Sequence, residues 1–324
     1  MNTYAKRVGL SGLFVAAALA LALYVTVAGG SMQGMDHGSG ETGAEEGANH
    51  SSMDHSLMNG GAEGSSGTVS SGEAGVEVET RVEATSPMPG EPTELTYRVS
   101  EARSGEAISE LPLDHERQMH LIAVSRDLEQ FQHVHPEPGA SGDFTVKTEF
   151  PQEGTYTLFN EFVWDGRKVL DRREIEAGTD GGVASLRPDL EPKTVDGLTV
   201  SLEVPEEIRV GEEAAFTYTL KKEDGTPAYD LEPYLGAPAH VAIVSEDTQE
   251  FAHTHGEASE EGSGGRGEVE AAKEGEHADH SGGQTFGPEI GFHHTFEKPG
   301  LYKVWAQFNH HGAVSTVPFV VEVT

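Results

Sequence analysis

The sequence predicts an all-β protein: two tandem antiparallel β-sandwich domains behind an N-terminal apolar helix and a disordered linker. A sixteen-residue phrase is written twice, HLIAVSRDLEQFQHVH at 120–135 and HVAIVSEDTQEFAHTH at 240–255. Ser125/Ser245, Asp127/Asp247, Phe131/Phe251 and three histidines match at a constant spacing of 120. Around each phrase, short runs of alternating apolar and polar residues are separated by Gly/Pro turns, the pattern of a sandwich. Ahead of them lies a Gly/Ser/Glu-rich stretch with almost no aliphatic or aromatic content, which cannot bury a core.

In chain order, residues 1–30 place Lys6 and Arg7 before a nearly continuous apolar run, 8–28, that is just long enough to span a bilayer. Val27, Ala28 and Gly29 also suit a cleavage site, so the segment reads as a signal anchor or a signal peptide. Positive charge ahead of the run places everything after it outside the cytoplasm. Residues 31–73 form the tether, in which Met35-Asp36-His37 and Met53-Asp54-His55 repeat a phrase beside Met58, and which holds four of the seven methionines. Thioether sulfur suits Cu(I), and imidazole suits either oxidation state of copper. Read otherwise, the tract is a linker in which Met and His are incidental.

Domain one, 74–178, opens on Val76, Val78, Thr80 and Val82 alternating with Glu77, Glu79 and Arg81, a half-buried strand. Leu95, Tyr97 and Val99 form a second. A Gly/Pro/Asp linker, 179–194, leads to domain two, 195–324, where Leu198, Val200, Leu202 and Val204, then Phe216, Tyr218 and Leu220, repeat the plan. The closing strands align Phe150, Gly154, Tyr156, Phe162 and Gly166 with Phe296, Gly300, Tyr302, Phe308 and Gly312, now spaced by 146. Domain two therefore carries 26 extra residues, assigned to an acidic disordered insert at 256–289 that includes His277 and His280. A surface loop tolerates such length because closure entropy grows slowly.

Each repeated phrase reads as a β-hairpin. His133 and His135 lie two apart and share a strand face, as do His253 and His255. A two-residue turn at Asp127 and Leu128 sets His120 opposite His135 on that face, whereas a three-residue turn turns it away. Three clustered imidazoles suit Cu(II), Zn(II) or Ni(II); the alternative is that they hydrogen-bond loop backbone or cap a strand end. Domain two is expected to hold the richer site, because His293, His294, His310 and His311 stand where domain one has Lys147, Thr148, Trp164 and Asp165. His294 and His310 continue apolar faces and are expected to join His240, His253 and His255. Domain one offers His120, His133 and His135 with Met119 and His115.

A formal charge of −34 excludes generic nucleic-acid binding. The absence of cysteine excludes disulfides, thiolate metal sites, a lipidated N-terminus and blue copper. Neither a nucleophile elbow, nor HExxH, nor a phosphate loop is present, so no enzyme is expected.

Met53-Asp54-His55-Ser56-Leu57-Met58 resembles the Met/His-rich repeats of bacterial periplasmic copper-resistance proteins. Met119-His120-Leu121, the 127–136 segment, the 230–237 segment and the 302–308 segment are similar to phrases of YtkA-like and related bacterial extracytoplasmic Ig-like β-sandwich proteins. That resemblance covers about 75–324 and implies a secreted or anchored Ig-like sandwich associated with heavy-metal or copper handling, without a settled ligand set. The combined expectation is an extracytoplasmic metal-binding protein, with copper ahead of zinc and nickel, acting as buffer, chaperone or resistance factor. It would touch the membrane through its N-terminal helix, bind no nucleic acid, and leave open a further extracytoplasmic protein partner. The alternative is a cell-surface interaction or adhesion module with structural histidines.

Overall fold

The computed structural model describes residues 65–70, 77–84, 87–139, 142–179, 181–258 and 284–324. All of these belong to one compact unit, Asn59–Thr324. The apolar run at 8–28 and the Met/His motifs at Met35, His37, Met53, His55 and Met58 lie outside the described residues. Among the described residues no helix is long and apolar enough to cross a membrane.

The first half comprises β1 (Ser65–Ser70), β2 (Glu77–Ala84), β3 (Pro92–Glu101), β4 (Met119–Ser125), β5 (Phe131–Val134), β6 (Glu137–Pro138), β7 (Asp143–Glu149), β8 (Gly154–Trp164) and β9 (Arg167–Ala177). The second comprises β10 (Lys193–Val195), β11 (Leu198–Glu203), β12 (Glu213–Lys222), β13 (Leu231–Glu232), β14 (Ala239–Ser245), β15 (Phe251–Ala258), β16 (Glu289–Thr295), β17 (Gly300–His310) and β18 (Ala313–Val323). The fold is all-β, and every strand pairing is antiparallel.

In the first half the sheet β1-β2-β3-β7-β6 and the sheet β5-β4-β8-β9 share one core. Leu95, Tyr97 and Phe144 come from one sheet, and Leu121, Tyr156 and Phe162 from the other. In the second half β15 pairs with β14 and then, at Glu257 and Ala258, with β16, so the two layers are continuous. Gly256 sits at the crossing, where an added Cβ would lie 2.4 Å from Ile290 Cγ2 and 3.0 Å from Ala239 Cβ. Strand structure thus runs three residues into the stretch assigned to the acidic insert, and 259–283 lie outside the described residues.

The central strands β4 and β14 are buried along their whole length. Side chains alternate across a strand, so this burial involves two surroundings. Met119, Leu121 and Ala123 face the core of their own half, and Ile122 and Val124 face a third cluster, formed with Leu128, Phe159, Ala242, Val244 and Trp305. That cluster joins the two halves. Phe131 stacks on Trp305 with ring centroids 5.0 Å apart, and Phe159 stacks on Phe251 at 4.2 Å. Phe131 matches Phe251 in the repeat and Phe159 matches Trp305, so the stacking is reciprocal: the two halves meet through their hairpin-bearing sheets.

The 179–194 linker is fastened to this joint. Ala184 N–H donates to Arg126 O at 3.1 Å, Leu186 N–H to Glu246 Oε1 at 2.7 Å, and Asp189 exchanges backbone bonds with Val320.

Candidate metal centre

The hairpins are built by the residues they share. Ser125 Oγ donates to Asp127 Oδ1 at 2.5 Å and accepts from Gln130 N–H, while Asp127 Oδ1 also accepts from Glu129 N–H. Ser245 and Asp247 repeat these bonds with Gln249 and Glu250. Ser125 N–H bonds Gln130 O, so the loop is four residues long, not two, with Leu128 left-handed at φ 58°. Both lengths are even, and the expected register survives. Leu121 pairs with Val134, which sets His120 across from His135, and His240 pairs directly with His255.

All six hairpin histidines leave the outer face of their sheet, towards the opposite half. His120 and His133 have ring centroids 5.2 and 4.9 Å from His253, and His133 lies 5.5 Å from His240. His135 packs against His120 and His133, and His255 against His240 and His253. His115, at φ 46° in the loop before β4, stacks on His255 at 3.5 Å. Seven imidazoles from both halves thus form one cluster.

The outer nitrogen of each central ring is held by an oxygen acceptor. His120 Nε2–H donates to Asp114 O at 2.8 Å, and His240 Nε2–H to Tyr234 O at 3.0 Å. Two further bonds cross the joint: His133 Nδ1–H donates to Gln307 Oε1 at 2.8 Å, and His253 Nδ1–H to Glu161 Oε2 at 2.9 Å. Glu161 and Gln307 are themselves matched positions on β8 and β17.

These bonds set the tautomers. A neutral imidazole carries one proton, so the inner nitrogens, Nδ1 of His120 and His240 and Nε2 of His133 and His253, present lone pairs. His120 Nδ1 lies 3.1 Å from His133 Nε2, and His240 Nδ1 lies 3.2 Å from His253 Nε2. Lone pairs facing at such distances repel unless a cation lies between them. One ligand atom from each of His120, His133, His240 and His253 falls within 4.8 Å of every other. Four nitrogens bound to one tetrahedral ion at about 2.0–2.1 Å would be about 3.3 Å apart, so only small side-chain shifts separate this arrangement from a coordination sphere.

Burial lowers the proton affinity of all six hairpin rings, and neighbouring imidazoles add to the effect at each of them. His253 and His255 fall to about 3 and His135 to about 2, and His120, His133 and His240 are also lowered. At pH 7 the six hairpin rings are neutral, the protonation state in which imidazole can act as a ligand. Burial pushes the Glu161 carboxyl up to about 7. Nε2 of His135 and of His255 are buried with no hydrogen-bond partner, further donors beside the central four.

Other expected ligands lie elsewhere. Met119 faces the inner core, where its sulfur accepts from Asn160 Nδ2 at 3.8 Å. His294 packs edge-on against Phe296 at 4.5 Å. His310 sits with His311 and Asp230. The reason is strand parity: His294 and His310 continue inner faces, whereas His240, His253 and His255 occupy the outer face. Glu161, Gln307 and the carbonyls of Asp114 and Tyr234 escaped the sequence reading. The one available signal was a polar residue at matched positions, 161 and 307, beside the apolar Phe162 and Phe308.

Residues 71–178 and 193–324 match the family described as a domain of unknown function, DUF8832. The chain belongs to this family. The two matched segments of this DUF8832 protein correspond to the two halves that frame the cluster. No curated protein matches the chain. Among solved structures it is similar to the three N-terminal domains of the bacteriophage RB49 Hoc capsid protein (13% identity, 76% of this chain and 58% of that one, TM-score 0.19). It is also similar to invasin, a bacterial integrin-binding protein (13%, 75% and 39%, 0.20), and to the D00-D0 domain of intimin (12%, 75% and 98%, 0.20).

Proposed function

We propose that this protein is an extracytoplasmic metal-binding protein whose principal site is shared between its two sandwich halves, with His120, His133, His240 and His253 as ligands. The carrying observation is the set of four tautomer-fixed imidazoles whose bare nitrogens converge across the joint. Asp114 O, Tyr234 O, Gln307 and Glu161 act as the outer-shell partners that orient ligating histidines. An all-nitrogen set suits copper in either oxidation state, and also zinc or nickel. Copper is favoured by the Met/His tether, which would collect Cu(I) ahead of the sandwiches. The location outside the cytoplasm rests on the basic and apolar N-terminal segment. Buffering or delivery of the ion fits a buried, all-imidazole centre best.

The second reading, a cell-surface interaction module, is favoured by the tandem sandwich architecture and treats the histidines as joint-forming. Thermal melts with and without Cu(II) or Zn(II) separate the two, since a ligand of the folded state raises its stability by mass action. Metal bound only to the tether leaves the melting of the sandwiches unchanged. The metal-binding reading expects a rise of several degrees in the wild type, most of which is lost in a His120→Ala/His240→Ala variant. Equal melting with and without metal would leave the interaction module standing.

A further inference from the structure

The turn between β17 and β18 is a two-residue hairpin in which His311 and Gly312 both have positive φ, 55° and 77°. This is the geometry of a type I′ turn. It places His311 beside His310, ring centroids 3.9 Å apart. Opposite them stands Asp230, just before β13, whose Leu231 pairs with His310. His310 Nε2 lies 3.4 Å from Asp230 Oδ1, and His311 Nε2 lies 3.6 Å from Asp230 Oδ2.

Two of these atoms, Asp230 Oδ1 and His310 Nε2, are buried and face only each other, at a separation too long for a good hydrogen bond. A cation between them would satisfy both. The other carboxylate oxygen is held by Lys222 Nζ at 2.8 Å, which fixes the carboxylate and leaves Oδ1 as the open ligand. The matched positions in the first half are Glu110, Trp164 and Asp165, which contain no imidazole.

We infer that Asp230, His310 and His311 form a second divalent-cation site, separate from the interdomain cluster and reached from solvent through His311, whose side chain is 68% exposed. Two imidazoles and one carboxylate leave several coordination positions for water. The mixed donor set selects a borderline divalent ion such as Zn(II), Ni(II), Co(II) or Fe(II) rather than Cu(I).

The test uses Co(II) as probe on the full chain, reading paramagnetic loss of backbone amide signals by NMR. Broadening should centre on Leu231, Gly312 and Ala313 and be reversed by Zn(II). An Asp230→Asn/His311→Ala variant should lose it while keeping the wild-type spectrum elsewhere. A His240→Ala/His253→Ala variant should retain it, so failure of the interdomain site and failure of this one are read separately. Absence of broadening at these amides in the wild type, or its persistence in the Asp230→Asn/His311→Ala variant, would overturn the assignment and leave the trio as an ion-paired turn.

Discussion

Where the first hairpin ends at Pro136, the second continues through Gly256. Pro136 lacks the N–H that a ladder needs, and the first half breaks there into β5 and β6. The second half runs on as one strand that crosses between sheets. The same near-symmetry governs the joint. His133 is oriented by a neutral amide, Gln307, and His253 by a carboxyl, Glu161. Phe159 in one half faces the second hairpin as Trp305 in the other faces the first. The duplication kept the inner ligands equal and let their supports diverge, so the two halves make one shared site with two chemically different sides.

The largest expected effect comes from breaking the joint. Trp305 is 3% exposed and stacked on Phe131, and Trp305→Ala should lower the unfolding free energy by about 3–5 kcal/mol in urea titrations. Phe159→Ala should cost a comparable amount, because it removes the matching stack. Loss from one variant but not the other would show that the halves contribute unequally.

Next is the asymmetry of the supports. Glu161→Gln should weaken metal binding about 10–100-fold at pH 8, the usual effect of losing a carboxylate behind a ligating imidazole. The same change should stabilise the metal-free protein. Glu161 has a folded-state pKa raised from 4.5 to about 7, so its contribution is fully present below pH 4.5 and is lost as pH rises through 7. Glutamine keeps the uncharged form, and the gain over wild type should therefore grow from pH 4.5 to 7 and then level off in chemical melts.

At the strand crossing, Gly256→Ala puts a methyl against Ile290 and Ala239 and should cost about 1–3 kcal/mol. Pro136→Ala in the first half should cost less, and reversed magnitudes would place the tighter corner in the wrong half. The most gradual change is with acid. The six hairpin histidines bind protons less readily folded than unfolded, so their contribution is present above about pH 6.5 and declines toward about pH 3, where His253 and His255 titrate. Denaturant midpoints of the metal-free protein should fall across that window, and constant midpoints would contradict the burial of these rings.

Much of the architecture was legible in residues. The alternation at Leu95, Tyr97 and Val99, its repeat at Phe216, Tyr218 and Leu220, and the doubled hairpin phrase identify two sandwiches, and they leave two hairpin registers, of which the structure has the one that pairs His240 with His255. The docking of the halves was less visible, although unbroken apolar runs at 121–124 and 241–244 meant burial on both strand faces. Without that step, the histidines read as two separate trios, and His294 and His310 as additions to the second. Parity excludes them, because their neighbours Phe292 and Phe308 point into the core. The supports at Glu161 and Gln307 come from strands far along the chain, and no spacing rule within one hairpin reaches them.

The most direct test of a shared site is metal stoichiometry in a double-mutant cycle, with bound copper or zinc counted after equilibrium dialysis of wild type, His120→Ala, His240→Ala and the double variant. A shared site predicts that each single variant loses the same one ion and that the double variant loses no more. Loss of one ion by each single variant and two by the double variant would mean two independent sites, and would contradict a centre built across the joint.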